Sequence, residues 1–497
     1  MQDWDLKILF PLLFIACIIS MVFLCMKEKL QKGAFLWLVQ IILFWIAAGF
    51  MGNQIKNQIS SLNSISFIIA SVFTTSFFLI ILKPLATFST GILKNRKIWI
   101  QISSLIMIIL LFFICLFNLP VWALIIVSLL FSFCLASSTL FYLFLNEQSF
   151  YRIYILPSIW ITFIFITFST TFGIYLSNLN IVIGNSSNSS NISLLVILIL
   201  MICSGFALSF LSKENKNMVQ TFDQEILEDI PKKNNALFLI IYLLAFLLTI
   251  TSAINNSLFI KLYIALNLKN LNFNNEGIRM WLRINDFAYL IPTIIASVIS
   301  YKLLRKFFEQ KYLVFLNMFV LFAIYTAMAF VQNPFIFIVL NIIAGICFNQ
   351  IIYSLFSACL FWNYRAKRNP VTGFYGSAMF ASYFIVDSVQ STLADLKVGV
   401  FKNFSNLDEL LNSKFDFQTS LKEFDDISTI IMSISCVMIL IAILIFYFMN
   451  NKIFADYSNY KIATQNLKIL IKKRVITKTK TKLDIKSIEK GIIESNE

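Results

Sequence analysis

The stretch FSTGILKNRKIWIQ, Phe88–Gln101, interrupts two long apolar runs with a glycine and a tight group of bases. Lys94, Arg96 and Lys97 crowd into one short turn, although the chain on either side is greasy enough to lie in lipid. Bases gathered in short loops between apolar helices mark the cytoplasmic side of a membrane protein. A related knot, SYKLLRKFFEQKYL at Ser300–Leu313, recurs in the second half of the chain.

Composition sets the same frame. The 497 residues are 59% hydrophobic and 16% aromatic, with only 13% charged, and the mean hydropathy is +0.81. A soluble chain carries about 25% charged residues. Apolar runs of about twenty residues, each able to cross a lipid core of about 30 Å, recur almost throughout. The reading is a polytopic all-α membrane protein, since the alternating segments of a β-barrel are absent. The net charge of +15 sits in short loops and the C-terminal tail, which argues against nucleic acid as a partner. The eight cysteines lie inside apolar runs without a C-x-x-C pair, and there is no histidine. Zinc sites of mixed ligation and histidine-based acid–base chemistry are thereby excluded. No metal, no cofactor and no enzyme activity is expected.

Thirteen spans are predicted, at about 8–26, 34–52, 64–92, 98–118, 121–146, 153–179, 194–212, 236–258, 277–301, 312–331, 334–361, 371–396 and 427–449. Asp3 and Asp5 precede the first, where a secretory signal would need bases, so it reads as a retained helix. Every densely basic loop then falls on one side, which places the N-terminus outside and the C-terminus in the cytoplasm. The charged segment 213–235 reads as a linker between two six-helix halves, 34–212 and 236–449. Residues 1–33 form an additional helix with its loop, and 450–497 a basic cytoplasmic tail that meets lipid headgroups or stays solvated.

Two six-helix halves around a central cytoplasmic linker are common among secondary transporters. The Phe88–Gln101 stretch resembles the loop motif of the major facilitator superfamily, a glycine followed after three residues by an acid–base pair and further bases. Gly91 takes the glycine position, Asn95 the acidic one and Arg96 the basic one, while Ile98 and Trp99 replace a second glycine and a further base. The second-half copy keeps Arg305 and Lys306. The resemblance implies two six-helix bundles that rock to give alternating access to a solute, with Arg96 latching one state.

Ionisable groups inside a span are costly, so each asks for a role. Lys83 precedes Pro84, which removes a backbone donor and predicts a bend with a free carbonyl. Asp387 lies well inside the twelfth span, and Arg279, Arg283 and Asp286 in the outer part of the ninth. Under the resemblance, either a Lys83–Asp387 pair or Arg283 with Asp286 would be made in one state and broken in another. Lys83 could equally snorkel to the headgroups, and Arg283 could simply neutralise Asp286. Asn341, Gly345, Asn349 and Tyr353 recur every four residues beside Gln350, and Gln40, Asn255 and Asn256 occupy comparable positions. These amides would line a cavity for a polar solute or pack helix against helix.

The expectation is a monomeric secondary transporter for a small-molecule solute in the cell membrane, in contact with membrane lipids. Any proton coupling would rest on Asp286 or Asp387. The alternatives are a flippase or exporter of lipid-linked or amphipathic cargo, and a non-transporting membrane scaffold.

Overall fold

The computed structural model describes residues 4–28, 30, 32–62, 64–92, 96–149, 155–183, 192–212, 234–288, 290–303, 310–363, 371–402, 404, 406–412 and 420–454. A π-helical turn, Asp5–Leu9, leads into α1 (Phe10–Glu28). A first bundle follows: α2 (Lys32–Ser60), α3 (Ser64–Val72), α4 (Thr75–Ile92), α5 (Lys97–Leu116), α6 (Val121–Ala136), α7 (Ser138–Ser149), α8 (Ile155–Ile183) and α9 (Ile192–Leu211). The second contains α10 (Asn235–Asn255), α11 (Leu258–Asn270), α12 (Asn275–Phe287), α13 (Leu290–Leu303), α14 (Gln310–Met328), α15 (Pro334–Asn363), α16 (Val371–Asp395) and α17 (Leu407–Asn412). It closes with α18 (Ser420–Phe454).

Among the described residues, twelve helical segments are long and apolar enough to cross a membrane. The 25-residue α16 is long enough but more polar, and is not among them. Four spans consist of two consecutive helices, α3–α4, α6–α7, α10–α11 and α12–α13. Asn234, Ser257 and Asn274 cap α10, α11 and α12 by accepting from backbone N–H groups of the first turn, which satisfies donors that a helix start leaves open. The ends carrying Lys27, Lys97 and Lys302 are here the basic face, and the opposite ends the far face.

Two boundaries move outward from their expected positions. Helix α2 continues two turns past residue 52, because Ile55 and Ile59 go on burying one side. Its polar side is satisfied by α8: Asn53 Nδ2 donates to Ser177 Oγ at 2.9 Å, and Gln54 Nε2 to the same oxygen at 3.1 Å. The segment after residue 258, expected as a loop, is the buried helix α11.

Helix association in lipid gains little from apolar burial, so close packing of small residues has to carry it. A Cβ on Gly49 of α2 would stand 2.0 Å from the Thr170 carbonyl oxygen of α8. One on Gly173 would stand 2.0 Å from the Ile46 oxygen. The two backbones touch, and only glycine fits at either place.

The bundles meet along two seams. On one, α16 packs against α3 and α4; on the other, α13 and α15 pack against α8. The first seam is built around Pro84. Without a proline N–H, the Ile80 carbonyl loses its helical donor, and Ser377 Oγ of α16 supplies one at 2.6 Å. The expected free carbonyl is thus used to join the halves. Gly373 lets α16 approach this bend, since a Cβ there would lie 2.6 Å from the Lys83 oxygen and 2.7 Å from Pro84 Cα.

The second seam is direct only towards the basic face, where Trp160 and Phe163 of α8 cluster with Ala296 of α13. Towards the far face, α1 lies against α8 and α12, and it continues along α13 towards the basic face. Its outward side shows Leu12, Ile15 and Ile19, whereas Phe10 and Phe14 are buried inward.

Candidate functional site

A polar recess of about 430 Å³, including its open mouth, lies among α10, α12, α13, α14 and α15 towards the far face. Ser252, Asn255, Asn256, Asn285, Tyr325 and Asn341 give it its polar lining. The amides form a chain: Asn255 Nδ2 donates to Asn341 Oδ1, and Asn341 Nδ2 to Asn285 Oδ1 at 3.1 Å. Asn255 Oδ1 is buried with no partner. Gly345 packs under Pro292, which keeps α13 and α15 close beside the amides. No lining residue is charged, so the recess offers amide and hydroxyl donors and acceptors without selecting a charge.

Of the amides expected to line a cavity, Asn341, Asn255 and Asn256 do so. Asn349 is buried elsewhere on α15. Gln350 turns the other way and accepts from Asn317 Nδ2 of α14 at 2.7 Å. Gln40 is buried near the basic face and donates to Ser212 Oγ at 3.1 Å, tying α2 to the end of α9. Both glutamines therefore hold helices of their own bundle together.

The charged residues regroup. Lys83 Nζ donates to Ser138 Oγ at 3.1 Å and lies 4.8 Å from the Phe380 ring centroid. Its stem runs past Gly376 of α16, where a Cβ would be 2.7 Å from Lys83 Cδ. Lys83 thus bridges the first seam, but through an α7 hydroxyl and an α16 ring. Asp387, about two turns further along α16, is under the electrostatic influence of Lys56 instead. The expected Lys83–Asp387 pair is not formed. Lys56 itself, on the polar extension of α2, also senses Lys261 and Asp286. Its side chain is exposed. Lys261 and Asp286 form an ion pair at 2.7 Å whose field reaches Lys56, and the field of Lys56 reaches Asp387.

Arg283 and Asp286 do not neutralise each other either. Arg283 Nε donates to Asp5 Oδ2 at 2.8 Å and its Nη2 to Asp5 Oδ1 at 3.2 Å. Asp286 accepts from Lys261 Nζ at 2.7 Å. An α2 ending at residue 52 leaves Lys56 in a loop, and acidic residues before the first span bear first on targeting. The amphipathic spacing of Ile55 and Ile59 was the available signal for Lys56; nothing local announced the Asp5 pairing.

Towards the basic face the space is closed by rings from both bundles. Tyr142 of α7 meets Phe356 of α15 at 5.3 Å between centroids, and shares a side-chain hydrogen bond with Tyr353. Tyr353 also packs on Trp160 and Phe163 of α8, at 5.3 and 4.3 Å. Of the loop-motif residues, Gly91 lies in the last turn of α4, while Asn95 and Arg305 fall outside the described residues. Arg96 is buried with its guanidinium 4.8 Å from the Phe144 ring centroid, on α7 of its own bundle. Lys97 Nζ donates to the Ser209 and Ser212 carbonyls at 3.0 and 2.8 Å, capping the end of α9, where a cation is favoured by the exposed carbonyl ends.

Two bundles meet along α4–α16 and α8–α13, with the extra helix against the second seam. The chain has the major facilitator fold. A bacterial homologue of the human lysosomal transporter Spinster, in an inward-facing conformation, aligns with a TM-score of 0.50 at 11% identity, over 86% of this chain and 99% of that one. The human organic anion transporter MFSD10 gives 0.53 at 9%, over 83% and 99%. The fucose:proton symporter of E. coli gives 0.50 at 12%, over 82% and 97%. No protein-family model matches the sequence, and no curated protein matches it.

Proposed function

We propose that the chain is a secondary transporter that moves a small, neutral, hydrogen-bonding solute by alternating access of its two bundles. The observation that carries this reading is a neutral amide recess near the far face, combined with a cross-bundle ring closure near the basic face. A solute hydroxyl would find partners in the exposed amide of Asn256 and in Asn285 and Asn341 beside it. The solved proteins of like fold are transporters, which supports transport over enzymatic chemistry. The basic loops support a cytoplasmic basic face, hence an N-terminus outside the cell membrane. The first seam is held by Phe77 on Phe384 at 5.2 Å and by Ser377 on Ile80, contacts that a lateral path for lipid-like cargo would have to break.

Thermal unfolding of the purified protein against sugars, polyols, nucleosides, amino acids and charged solutes tests this. A ligand at one hundred times its dissociation constant adds about 2.7 kcal/mol when it binds only the folded state. A neutral polyhydroxylated or amide-bearing solute should stabilise the protein, accumulate in proteoliposomes, and lose both effects in Asn341→Ala. Stabilisation only by charged solutes would overturn the neutral substrate class. No stabilisation and no uptake across the panel would favour a non-transporting scaffold.

A further inference from the structure

The additional N-terminal helix fills a gap between the bundles. Along the second seam, α13 packs directly on α8, but the far-face segment α12 has no comparable packing on it. The first turns of the chain occupy that place. Phe10 is fully buried, stacked on Phe287 of α12 at 4.2 Å and edge-on to Tyr175 of α8 at 6.4 Å. One turn on, Phe14 meets Phe168, Phe172 and Tyr175 of α8 at 5.8, 5.3 and 5.3 Å.

Polar bonds fix the same turns to both bundles. Asp5 is wholly buried and takes Arg283 of α12 through two charge-assisted bonds. The adjacent Leu6 carbonyl accepts from the Tyr175 hydroxyl of α8 at 2.9 Å. A buried carboxylate is costly unless its partner is well placed, so the pair specifies where this helix sits. Further down, contact with α13 continues through Phe23 on Tyr301 at 5.9 Å.

We infer that this helix is a wedge in the far-face half of the α8–α13 seam, biasing the molecule towards the conformation closed at the basic face. The inference rests on the transporter reading, because it presupposes a second conformation in which α8 and α12 draw together. Such closure would have to expel Phe10 and break either the Asp5–Arg283 pair or the Tyr175–Leu6 bond. An element that binds one conformation better shifts the population by that difference and no more.

The test uses the full chain, with the native cysteines replaced, in right-side-out and inverted vesicles. Labelling by an impermeant maleimide is followed at Asn256→Cys near the far face and at Tyr353→Cys in the basic-face closure. Phe10→Ala, and separately the double variant Asp5→Asn/Arg283→Gln, which removes both charges of the pair, are each added to both. Far-face labelling should fall and basic-face labelling rise, by about fivefold or more for an effective coupling. Unchanged labelling at both positions in folded variants would overturn the wedge. Solute uptake is measured in parallel: intact uptake with unchanged labelling removes the wedge but keeps the transporter. Absence of uptake and of any labelling change, with or without candidate solutes, removes both. If Phe10→Ala fails to fold, the neutralised double variant decides.

Discussion

The two seams join the same two bundles by different means. At α4–α16 the joint is backbone against backbone: Pro84 frees the Ile80 carbonyl, Ser377 takes it, and Gly373 brings the helices together. At α8–α13 the joint is direct only near the basic face, and elsewhere passes through the side chains of an additional helix. A glycine-tight joint tolerates almost no added volume. A side-chain joint can lose a group and readjust. The first seam is thus suited to act as a fixed pivot, and the second to open and close.

The largest expected effect comes from crowding the pivot. A valine at Gly373 would put its Cβ 2.4 Å from Thr87 Oγ1 and 2.6 Å from a main-chain carbonyl that cannot move aside. Gly373→Val should destabilise the protein by about 3 kcal/mol, at the upper end of overpacking costs, seen as a lower Tm in detergent. Gly376→Ala meets only the flexible Lys83 stem and should cost clearly less. Equal effects would show that the first seam is as adaptable as the second.

Next is the ion pair of the second seam. Asp5→Ala leaves Arg283, whose side chain is 25% exposed, without its carboxylate. Partial exposure screens the loss below that of a fully buried pair, to about 2 kcal/mol, while Asp5→Asn/Arg283→Gln should recover most of it. A double-mutant cycle on Tm checks this, and additive losses would refute the coupling.

These joints were unequally legible in the sequence. Pro84 announced its free carbonyl, and apolar runs with basic loops announced a polytopic helical chain of two bundles. Lys97 could be expected at helix-end carbonyls because short-range charge and helix geometry decide such contacts. Asp5–Arg283 could not, because the two residues are far apart in sequence and only the packing of α1 across the seam unites them. Lys56 was hidden by its neighbours, since Asn53, Gln54 and Asn57 look like loop until Ile55 and Ile59 are seen to keep their helical side buried. For the amides, spacing gave the face of α15 but not the neighbour: Asn341 meets the recess, whereas Gln350 meets Asn317.

Smaller effects separate packing from solvation. Phe10→Ala should cost only about 1–2 kcal/mol, because lipid replaces much of the lost apolar contact and chiefly the ring–ring terms with Phe287 and Tyr175 disappear. Calorimetric loss near that of a water-soluble core, about 3–5 kcal/mol, would mean that this helix supports the fold and not merely one conformation. Lys83→Met should change stability by about 1 kcal/mol or less, giving up its contact with the Phe380 ring and its bond to Ser138. Unaltered uptake in that variant would remove Lys83 from the transport cycle; a stable but inactive protein would place it there.

The central claim is that the bundles alternate about a fixed α4–α16 pivot, and paired distances test it most directly. Spin labels at Asn57 and Asn256 report the far face, and at Leu211 and Tyr312, away from the α4–α16 seam, the basic face, all exposed positions. In lipid discs, a stabilising solute should redistribute the two distances in opposite directions, while a third pair at Leu85 and Ile385, along the pivot, stays constant. Distances that stay single and unmoved with every solute, or that move together at both faces, would contradict the account.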